Sequence, residues 1–170
     1  MDQVKTVFVI RHAKSDWTTG VADYARGLTS RGRRDACALG PRLALYQIDL
    51  VWCSGAERTT ETWEQACLGG ASAVELDRRR GFYGTWASAL LSEMACLDEA
   101  ITSLAIVNHQ PLVSDLVSAL AQPSPLVSQA ANHFPTAGLA ILTYRGPWAS
   151  LRPRGMALES FERVRADDPD

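Results

Sequence analysis

Short apolar runs alternate along the chain with longer segments in which apolar residues recur at helical spacing. Runs that are rich in β-branched and aromatic residues and bounded by polar ones are typical of buried strands. They occur at residues 5–10, 50–53, 104–108 and 138–144, with a weaker one at 73–76. Because strands and helices alternate, we predict an α/β fold, a three-layer α/β/α sandwich with a mostly parallel central sheet.

The first helix between these strands has a clear start signal. Thr29 or Ser30 can cap it, and its apolar spacing extends to about residue 46. Gly40-Pro41 lies inside this helix, and we expect a kink or a break there, because proline clashes with the preceding turn.

The later helices are also delimited by local signals. Ser54-x-x-Glu57 has the form of a capping box, which places Arg58 in or beside the first turn of the second helix. The third helix is predicted over residues 86–100. The fourth begins at Pro111, a residue suited to the first helical position, and is ended by the proline-rich residues 122–125.

The chain of 170 residues has the length of one domain. We assign this domain to residues 1–164, closed by a pair of strands at 149–152 and 158–164 around a turn at Gly155, and we expect residues 165–170 to be a disordered tail. Because the net charge is −2, general binding to nucleic acid or to an anionic membrane is not expected. The absence of a long apolar stretch or secretory signal predicts a cytoplasmic protein.

Polar groups follow three of the predicted strands at the point where each strand ends. Arg11-His12 follows the run at 5–10, Ser54 to Arg58 follows the run at 50–53, and His109 follows the run at 104–108. The carboxyl ends of parallel strands meet at one edge, where ligands of open α/β sheets bind. Arginine forks and helix N-termini favour phosphate, and histidine can attack phosphorus, so the pattern indicates a phosphoryl-transfer site.

Four ordered blocks resemble the histidine phosphatase superfamily. They are Arg11-His12-Ala13-Lys14-Ser15-Asp16-Trp17, Arg26-Gly27-Leu28-Thr29 with Gly32, Cys53-Ser54-Gly55-Ala56-Glu57-Arg58-Thr59 with Glu61-Thr62, and Val107-Asn108-His109-Gln110-Pro111. With alanine in the glycine place of the Arg-His-Gly signature, the chain is most similar to the small bacterial phosphohistidine phosphatases of the SixA type. The resemblance ends near Phe134-Pro135-Thr136 and implies a phosphoglycerate mutase-like fold.

This resemblance also implies a role for each matched residue. His12, as neutral imidazole, would attack phosphorus and form a phosphohistidine intermediate. Arg11, Arg58 and His109 would hold the phosphoryl oxygens and stabilise their charge, and Arg26 would make a secondary phosphate contact. The chain departs from the family at Asn108, where glycine is usual, and at Gly27, which stands where proline usually follows the arginine.

A general acid is missing from the expected place. Larger members of the superfamily protonate the leaving group with a carboxylate, but residues 80–84 contain none, and Asp16, Glu75 and Asp77 remain possible. An imidazole leaving group can be protonated near neutral pH, so this absence favours phosphohistidine or another phosphoramidate. Little sequence is left for a lid between Leu68 and Leu104, which predicts a site open to a phosphorylated protein side chain.

The sequence therefore predicts a metal-independent phosphatase that removes phosphate from protein phosphohistidine. The alternatives are a phosphatase of a small phosphomonoester or phosphoramidate metabolite and, in another class, a non-catalytic phosphate-binding adaptor. An adaptor is disfavoured because the nucleophile and the clamp arginines are present, and a mutase is disfavoured by the missing acid and lid. Neither a nucleic-acid nor a membrane partner is expected, and the sequence does not define the oligomeric state.

The remaining histidine, cysteines and arginine clusters have structural interpretations. We predict that two basic clusters are solvated faces, with docking of an acidic partner as the alternative. They are Arg31, Arg33 and Arg34, and Arg78-Arg79-Arg80. His133 is predicted to lie in a loop. The four cysteines are Cys37, Cys53, Cys67 and Cys96, and without CxxC pairing or metal-ligand spacing they predict reduced thiols. No glycine-rich nucleotide motif occurs, so no cofactor and no metal is expected.

Overall fold

The computed structural model describes residues 3–167. Within this range six strands form one sheet. They are β1 (Val4–Arg11), β2 (Ile48–Ser54), β3 (Ala73–Arg79), β4 (Ser103–Asn108), β5 (Gly138–Arg145) and β6 (Ala157–Arg163). Five α-helices accompany them: α1 (Ser30–Leu43), α2 (Glu57–Leu68), α3 (Ala87–Met94), α4 (Leu112–Leu120) and α5 (Pro125–Asn132). Short 3₁₀ turns occur at Asp23–Ala25, Arg80–Phe82 and Trp148–Ser150.

The order of the strands across the sheet is β3-β2-β4-β1-β5-β6. The pairs β2–β3, β2–β4 and β1–β4 are parallel, whereas β5 runs antiparallel to β1 and β6 runs antiparallel to β5. The mostly parallel sheet that the alternating pattern predicts is therefore confirmed. Because β1, β4 and β2 are neighbours, their carboxyl ends lie side by side.

Two apolar cores cover the two faces of the sheet. On one face, Val7 and Val9 of β1 pack with residues of α3, α4 and α5. On the other face, Phe8 and Ile10 pack with residues of α1 and α2. Alternate residues of one strand point to opposite faces, so an uninterrupted apolar run is what a strand buried on both sides requires. The three-layer α/β/α architecture is confirmed.

Helix α1 begins as predicted and passes through Pro41 without a break. The Thr29 hydroxyl accepts from the Gly32 amide at 2.9 Å and caps the helix, which ends at Leu43. Pro41 has no amide hydrogen for the Cys37 carbonyl, and a Cβ on Gly69 would lie 2.0 Å from that carbonyl oxygen. The absence of a side chain at Gly69 thus lets the end of α2 approach the Cys37 carbonyl, which has no amide hydrogen at residue 41 to accept from.

The C-terminal part of the sheet differs from its prediction. Residues 149–152 do not form a strand, because Trp148 anchors the segment in the core as a 3₁₀ turn, with its indole Nε1 donating to the Ile101 carbonyl at 2.7 Å. Strand β6 pairs with β5 instead. Helix α5 was not predicted, because the proline-rich residues 122–125 indicated only the end of the preceding helix. The Ser124 hydroxyl accepts from the Val127 amide and Pro125 occupies the first turn.

Helix α3 and the C-terminal residues also differ from their predictions. Helix α3 ends at Met94 and not near residue 100, because the Asp98 carboxylate accepts from the Ala100 amide and turns the chain toward β4. Of the tail expected at 165–170, residues 168–170 lie outside the described range, and the Ala166 amide donates to Asp35 Oδ1 at 2.9 Å. No helix within residues 3–167 has the length and apolar character that crossing a membrane requires.

Candidate active site

The carboxyl ends of β1, β4 and β2 bring the predicted site residues to one edge of the sheet. Arg11, the last residue of β1, pairs in register with Asn108, the last residue of β4. The His12 amide donates to the Asn108 carbonyl at 3.1 Å. Ser54 closes β2, and Arg58 lies in the first turn of α2. The convergence that the sequence predicts at this edge is therefore present in the fold.

The His12 side chain is held as a neutral imidazole. It is 6% exposed, and its Nδ1 lies 2.7 Å from the Ala13 carbonyl oxygen. A carbonyl can only accept, so Nδ1 carries the hydrogen and Nε2 keeps its lone pair. Burial lowers the pKa of His12 to about 3, assisted by positive charge on His109, Arg58 and Arg11 and opposed by the Ala13 hydrogen bond. Nε2 is thus unprotonated at neutral pH.

The loop after His12 is fixed from two sides. The Ala13 amide donates to the Thr62 hydroxyl at 3.0 Å, and that hydroxyl donates in turn to the Arg58 carbonyl at 2.7 Å. From the other side α1 approaches so closely that a Cβ on Gly32 would lie 2.2 Å from the Lys14 carbonyl oxygen. Residues of the second and third family blocks therefore position the histidine of the first.

His109 lies beside His12 and is also buried. The two ring centroids are 5.3 Å apart, and His109 Nε2 is 2.9 Å from the Ser54 hydroxyl. Burial, followed by the charge of Arg58, lowers the pKa of His109 to about 4. Asn108, at the position where the family usually has glycine, accepts from the His109 amide through Oδ1 and donates through Nδ2 to the Phe82 carbonyl. The substituted residue therefore stabilises the turn that orients His109.

The position of Ser54 corrects one expectation. It is not the cap of α2, because the helix starts only at Glu57 and its N-cap residue Ala56 makes no side-chain cap hydrogen bond. Ser54 is the last residue of β2, and its hydroxyl is shared between the Ala56 amide at 3.4 Å and His109. Ser54 therefore orients His109 and does not cap α2.

Two of the candidate arginines are held by one carboxylate. Arg58 donates from Nη1 to the Asp23 carbonyl at 2.7 Å and from Nη2 to Asp23 Oδ2 at 3.0 Å. Arg26 Nη1 lies 2.9 Å from Asp23 Oδ1, and its Cζ stacks 3.5 Å above the exposed Trp17 ring. Both guanidinium groups are thereby fixed in orientation at the same edge of the sheet.

Arg11 is held from the opposite side of the site. Its Nη1 donates to the Phe134 carbonyl at 2.8 Å, which connects the end of β1 to the loop before β5. Burial, together with the charge of Arg58, lowers the pKa of Arg11. Two like charges are therefore kept close together, an arrangement that a bound anion would stabilise.

Unpaired polar atoms are concentrated at this edge. In the described part of the chain, five buried side-chain nitrogen or oxygen atoms have no hydrogen-bond partner, and four of them belong to the predicted site. They are Nε of Arg11, Arg26 and Arg58, and Nδ1 of His109, and the fifth is the Thr60 hydroxyl. Buried donors without partners are rare in folded proteins. Their grouping indicates a site built to receive an anion with several acceptor oxygens.

Asp23 and Tyr83 complete the site and were missed by the sequence analysis. The Tyr83 hydroxyl donates to Asp23 Oδ2 at 2.7 Å, and its ring stands edge-on to His109 with 5.5 Å between centroids. The Tyr83 hydrogen bond, followed by Arg58 and Arg26, lowers the pKa of Asp23 to about 2 although partial burial opposes this. Asp23 is therefore an ionised anchor. The available signal was its place three residues before Arg26, a distance across which a carboxylate and an arginine pair in one turn.

A cleft opens beside the two histidines. It has a volume of about 410 Å³ and extends from Arg58 and His109 to the start of α4. The lining residues are Asp23, Arg58, Tyr83, Gly84, Thr85, Trp86, Asn108, His109, Gln110, Pro111, Leu112 and Asp115. Trp86 is 67% exposed at its edge.

The carboxylates that the sequence left open as acids do not line this cleft. Glu75 and Asp77 face a different groove, where Asp77 pairs with Arg79. Asp16 accepts from the Thr18 amide and hydroxyl. The carboxylates that do line the cleft are Asp23 and Asp115.

The other basic residues and the third histidine lie around the site. Arg79 pairs with Asp77 and Glu93, and Arg80 stacks on the Tyr24 ring at 4.6 Å, so neither is simply a solvated side chain. His133 is exposed just after α5. Among residues 3–167, no three His, Cys, Asp or Glu side chains group as metal ligands would.

Comparison with known proteins agrees with this geometry. The histidine phosphatase superfamily (branch 1) matches residues 7–95. An uncharacterised protein of Mycobacterium tuberculosis is 34% identical over 162 residues, which cover 92% of this chain and all of that protein. The family match at residues 7–95 includes three of the four sequence blocks, and the fourth, around His109, lies beyond it.

Solved structures extend the similarity over nearly the whole fold. A candidate phosphohistidine phosphatase SixA from Nakamurella multipartitia superposes with a TM-score of 0.82 at 25% identity, covering 95% of this chain and 96% of that one. A second, from Agrobacterium tumefaciens, has a TM-score of 0.76 at 26% identity, covering 93% and 97%. On the sequence match and the shared fold, the chain belongs to the histidine phosphatase superfamily.

Proposed function

We propose that this protein removes the phosphoryl group from phosphohistidine in a protein substrate through a covalent phosphohistidine at His12. One observation carries the proposal: buried side-chain nitrogens of Arg11, Arg26, Arg58 and His109 have no hydrogen-bond partner and lie at one sheet edge beside the unprotonated Nε2 of His12. A phosphoryl group supplies the acceptor oxygens that these donors lack. Family membership and the SixA-like neighbours support phosphatase activity.

The proposed reaction proceeds in two displacements. His12 Nε2 attacks phosphorus, a P–N bond forms to His12, and the bond to the leaving nitrogen breaks, with the electron pair remaining on that nitrogen. Arg11, Arg58 and His109 stabilise the charge of the phosphoryl oxygens, with Arg26 as a secondary contact. Water then attacks the phosphohistidine, releasing inorganic phosphate and regenerating His12. Because the nucleophile and the positive charge both come from side chains, the reaction needs no metal ion.

The protonation of the leaving group favours phosphohistidine as substrate. Asp23 has a pKa of about 2 and is ionised at neutral pH, so it cannot protonate an alkoxide. Glu75, Asp77 and Asp16 do not line the cleft, and Asp115, which does, is an exposed side chain and is not buried as Arg58 and His109 are at the phosphoryl site. A leaving imidazole has a pKa of about 6.5 and takes its proton near neutral pH, so phosphohistidine does not require an enzymic acid.

The cleft fits a substrate attached to a protein. It opens at the surface beside the exposed Trp86, and the exposed Trp17 covers the neighbouring Arg26. A phosphorylated side chain of a partner protein can therefore reach the arginines without the movement of a lid. We propose a cytoplasmic phosphorylated protein as the partner, and a small phosphorylated metabolite is the alternative.

A substrate screen tests this assignment. Wild-type protein and the His12→Ala variant would be assayed with a phosphohistidine protein, a small phosphoramidate, a sugar phosphate and phosphoserine. We expect the highest kcat/KM for phosphohistidine and no turnover by His12→Ala. A preference for a monoester would contradict the substrate assignment, and phosphate binding without any turnover would indicate an adaptor.

A further inference from the structure

The cleft beside the phosphoryl site is lined by groups of opposite charge. Arg58 and His109 of the phosphoryl site line it, and so does Asp115 in the first turn of α4. Tyr83 and Trp86 add aromatic rings to the same lining. A molecule bound by its phosphoryl group at Arg58 and His109 would place its leaving group in this cleft, in the space that Asp115 also lines.

Of the two carboxylates that line the cleft, only Asp23 forms ion pairs with lysine or arginine among the described residues. Asp23 is paired with Arg58 and Arg26, so its charge is neutralised within the phosphate site. Asp115 is exposed, and no lysine or arginine of residues 3–167 makes an ion pair with it. Arg58 is the single lysine or arginine among the described lining residues. Asp115 therefore gives the lining of the cleft a negative charge that no described lysine or arginine neutralises in an ion pair.

We infer that this cleft is the leaving-group pocket and that Asp115 selects leaving groups that carry a positive charge. Phosphoramidates such as phosphohistidine and phospholysine have this pattern, an anionic phosphoryl group joined to a nitrogen that is protonated as it departs. An anionic leaving group, such as that of a carboxylated metabolite phosphate, would be repelled. The inference rests on the proposed function, because it requires the phosphoryl group to bind at Arg58 and His109.

Binding of two matched ligands isolates the charge of the leaving group. The ligands are 4-(aminomethyl)phenyl phosphate and 4-(carboxymethyl)phenyl phosphate, which share a phenyl phosphate and differ in the charge at its far end. Their dissociation constants would be measured by calorimetry with His12→Ala protein, in which neither ligand is consumed. We expect the cationic ligand to bind at least about 5-fold more tightly, the ratio that corresponds to an exposed ion pair at the upper end of the usual range.

Second-site variants of the same protein test whether Asp115 is the cause. Asp115→Asn should abolish the preference, and Asp115→Lys should reverse it. Glu64→Gln, which removes an exposed carboxylate of α2 outside the cleft, should retain the ratio of the His12→Ala parent. Equal ratios in Asp115→Asn, Asp115→Lys and the parent would overturn the inference and leave the proposed function intact. Failure of the proposed function is recognised separately, because wild-type protein would then neither hydrolyse phosphohistidine nor form a phosphoenzyme.

Discussion

Arg58 donates two hydrogen bonds to Asp23, from Nη1 to its main-chain carbonyl at 2.7 Å and from Nη2 to its carboxylate at 3.0 Å. Both contacts use the terminal nitrogens of one planar group, so the direction of the remaining Nε–H is fixed by the fold. That Nε is buried and unpaired. The site therefore holds a donor in place before any phosphoryl group arrives, which is the condition for electrostatic stabilisation without reorganisation.

Loss of this donor should reduce catalysis strongly. We expect Arg58→Ala to lower kcat/KM for phosphohistidine by about 10²-fold, the scale measured when one preorganised donor is removed. Arg58→Lys should lose most of the same activity, because an ammonium cannot make two contacts to Asp23 in a planar fork and also present a third donor. Steady-state kinetics would measure both.

The control for these variants is Arg79→Ala, which removes an exposed arginine paired with Asp77 and Glu93 away from the cleft. It should change kcat/KM little. Near-normal activity in Arg58→Ala would show that Arg58 does not act on the phosphoryl group.

Low pH should destabilise the folded protein through the two buried histidines. Their pKa values lie at about 3 for His12 and about 4 for His109, below the ordinary value of 6.5. Between pH 6.5 and 4 the unfolded chain binds protons that the folded chain does not, so the free energy of unfolding falls as pH falls. Each histidine contributes up to about 1.4 kcal/mol per pH unit in this window, and above pH 6.5 the contribution is complete.

Urea unfolding at pH 7.5 and pH 5 would measure this dependence. His12→Gln should make it shallower, because glutamine binds no proton in the unfolded chain. His133→Gln, which removes the exposed histidine, is the control and should keep the wild-type dependence. An equal loss of stability in wild type and His12→Gln would contradict the neutral, buried state assigned to His12.

Much of this site could be predicted from local sequence, because strand ends are local signals. Residues 7–10 are all apolar, and Arg11-His12 follows them directly. The sequence therefore places these two candidate site residues at the carboxyl end of the first strand. Asp23 and Tyr83 could not be predicted in the same way. Their partners Arg58 and His109 are distant in sequence and meet them only after the sheet has formed.

Local rules also failed where tertiary contacts competed with them. Ser54 has the spacing of a helix cap, but its hydroxyl is placed against His109 by the adjacency of β2 and β4. The turn at Gly155 predicted a strand at residues 149–152, but the burial of Trp148 fixes the start of this segment as a 3₁₀ turn. In both cases a partner remote in sequence determines the conformation.

Activity should survive exhaustive chelation. The proposed nucleophile is His12, and Arg11, Arg26 and Arg58 supply the positive charge that metal ions supply in many other phosphatases. Protein dialysed against EDTA should retain its kcat/KM for phosphohistidine, with no gain on adding magnesium, manganese or zinc. Activity that vanished on dialysis and returned with one metal would instead assign His12 and His109 as ligands.

The central claim is that His12 carries the phosphoryl group during turnover. Its neutral imidazole, with Nδ1 held by the Ala13 carbonyl, presents Nε2 as the attacking atom. The direct measurement is rapid quenching of wild-type protein with substrate, followed by mass-spectrometric mapping of the phosphorylated residue under alkaline conditions. We expect an acid-labile phosphoryl group on His12, absent from a His12→Ala variant that remains folded. A phosphoryl group mapped to His109, or steady turnover with no phosphoenzyme on His12, would contradict the account.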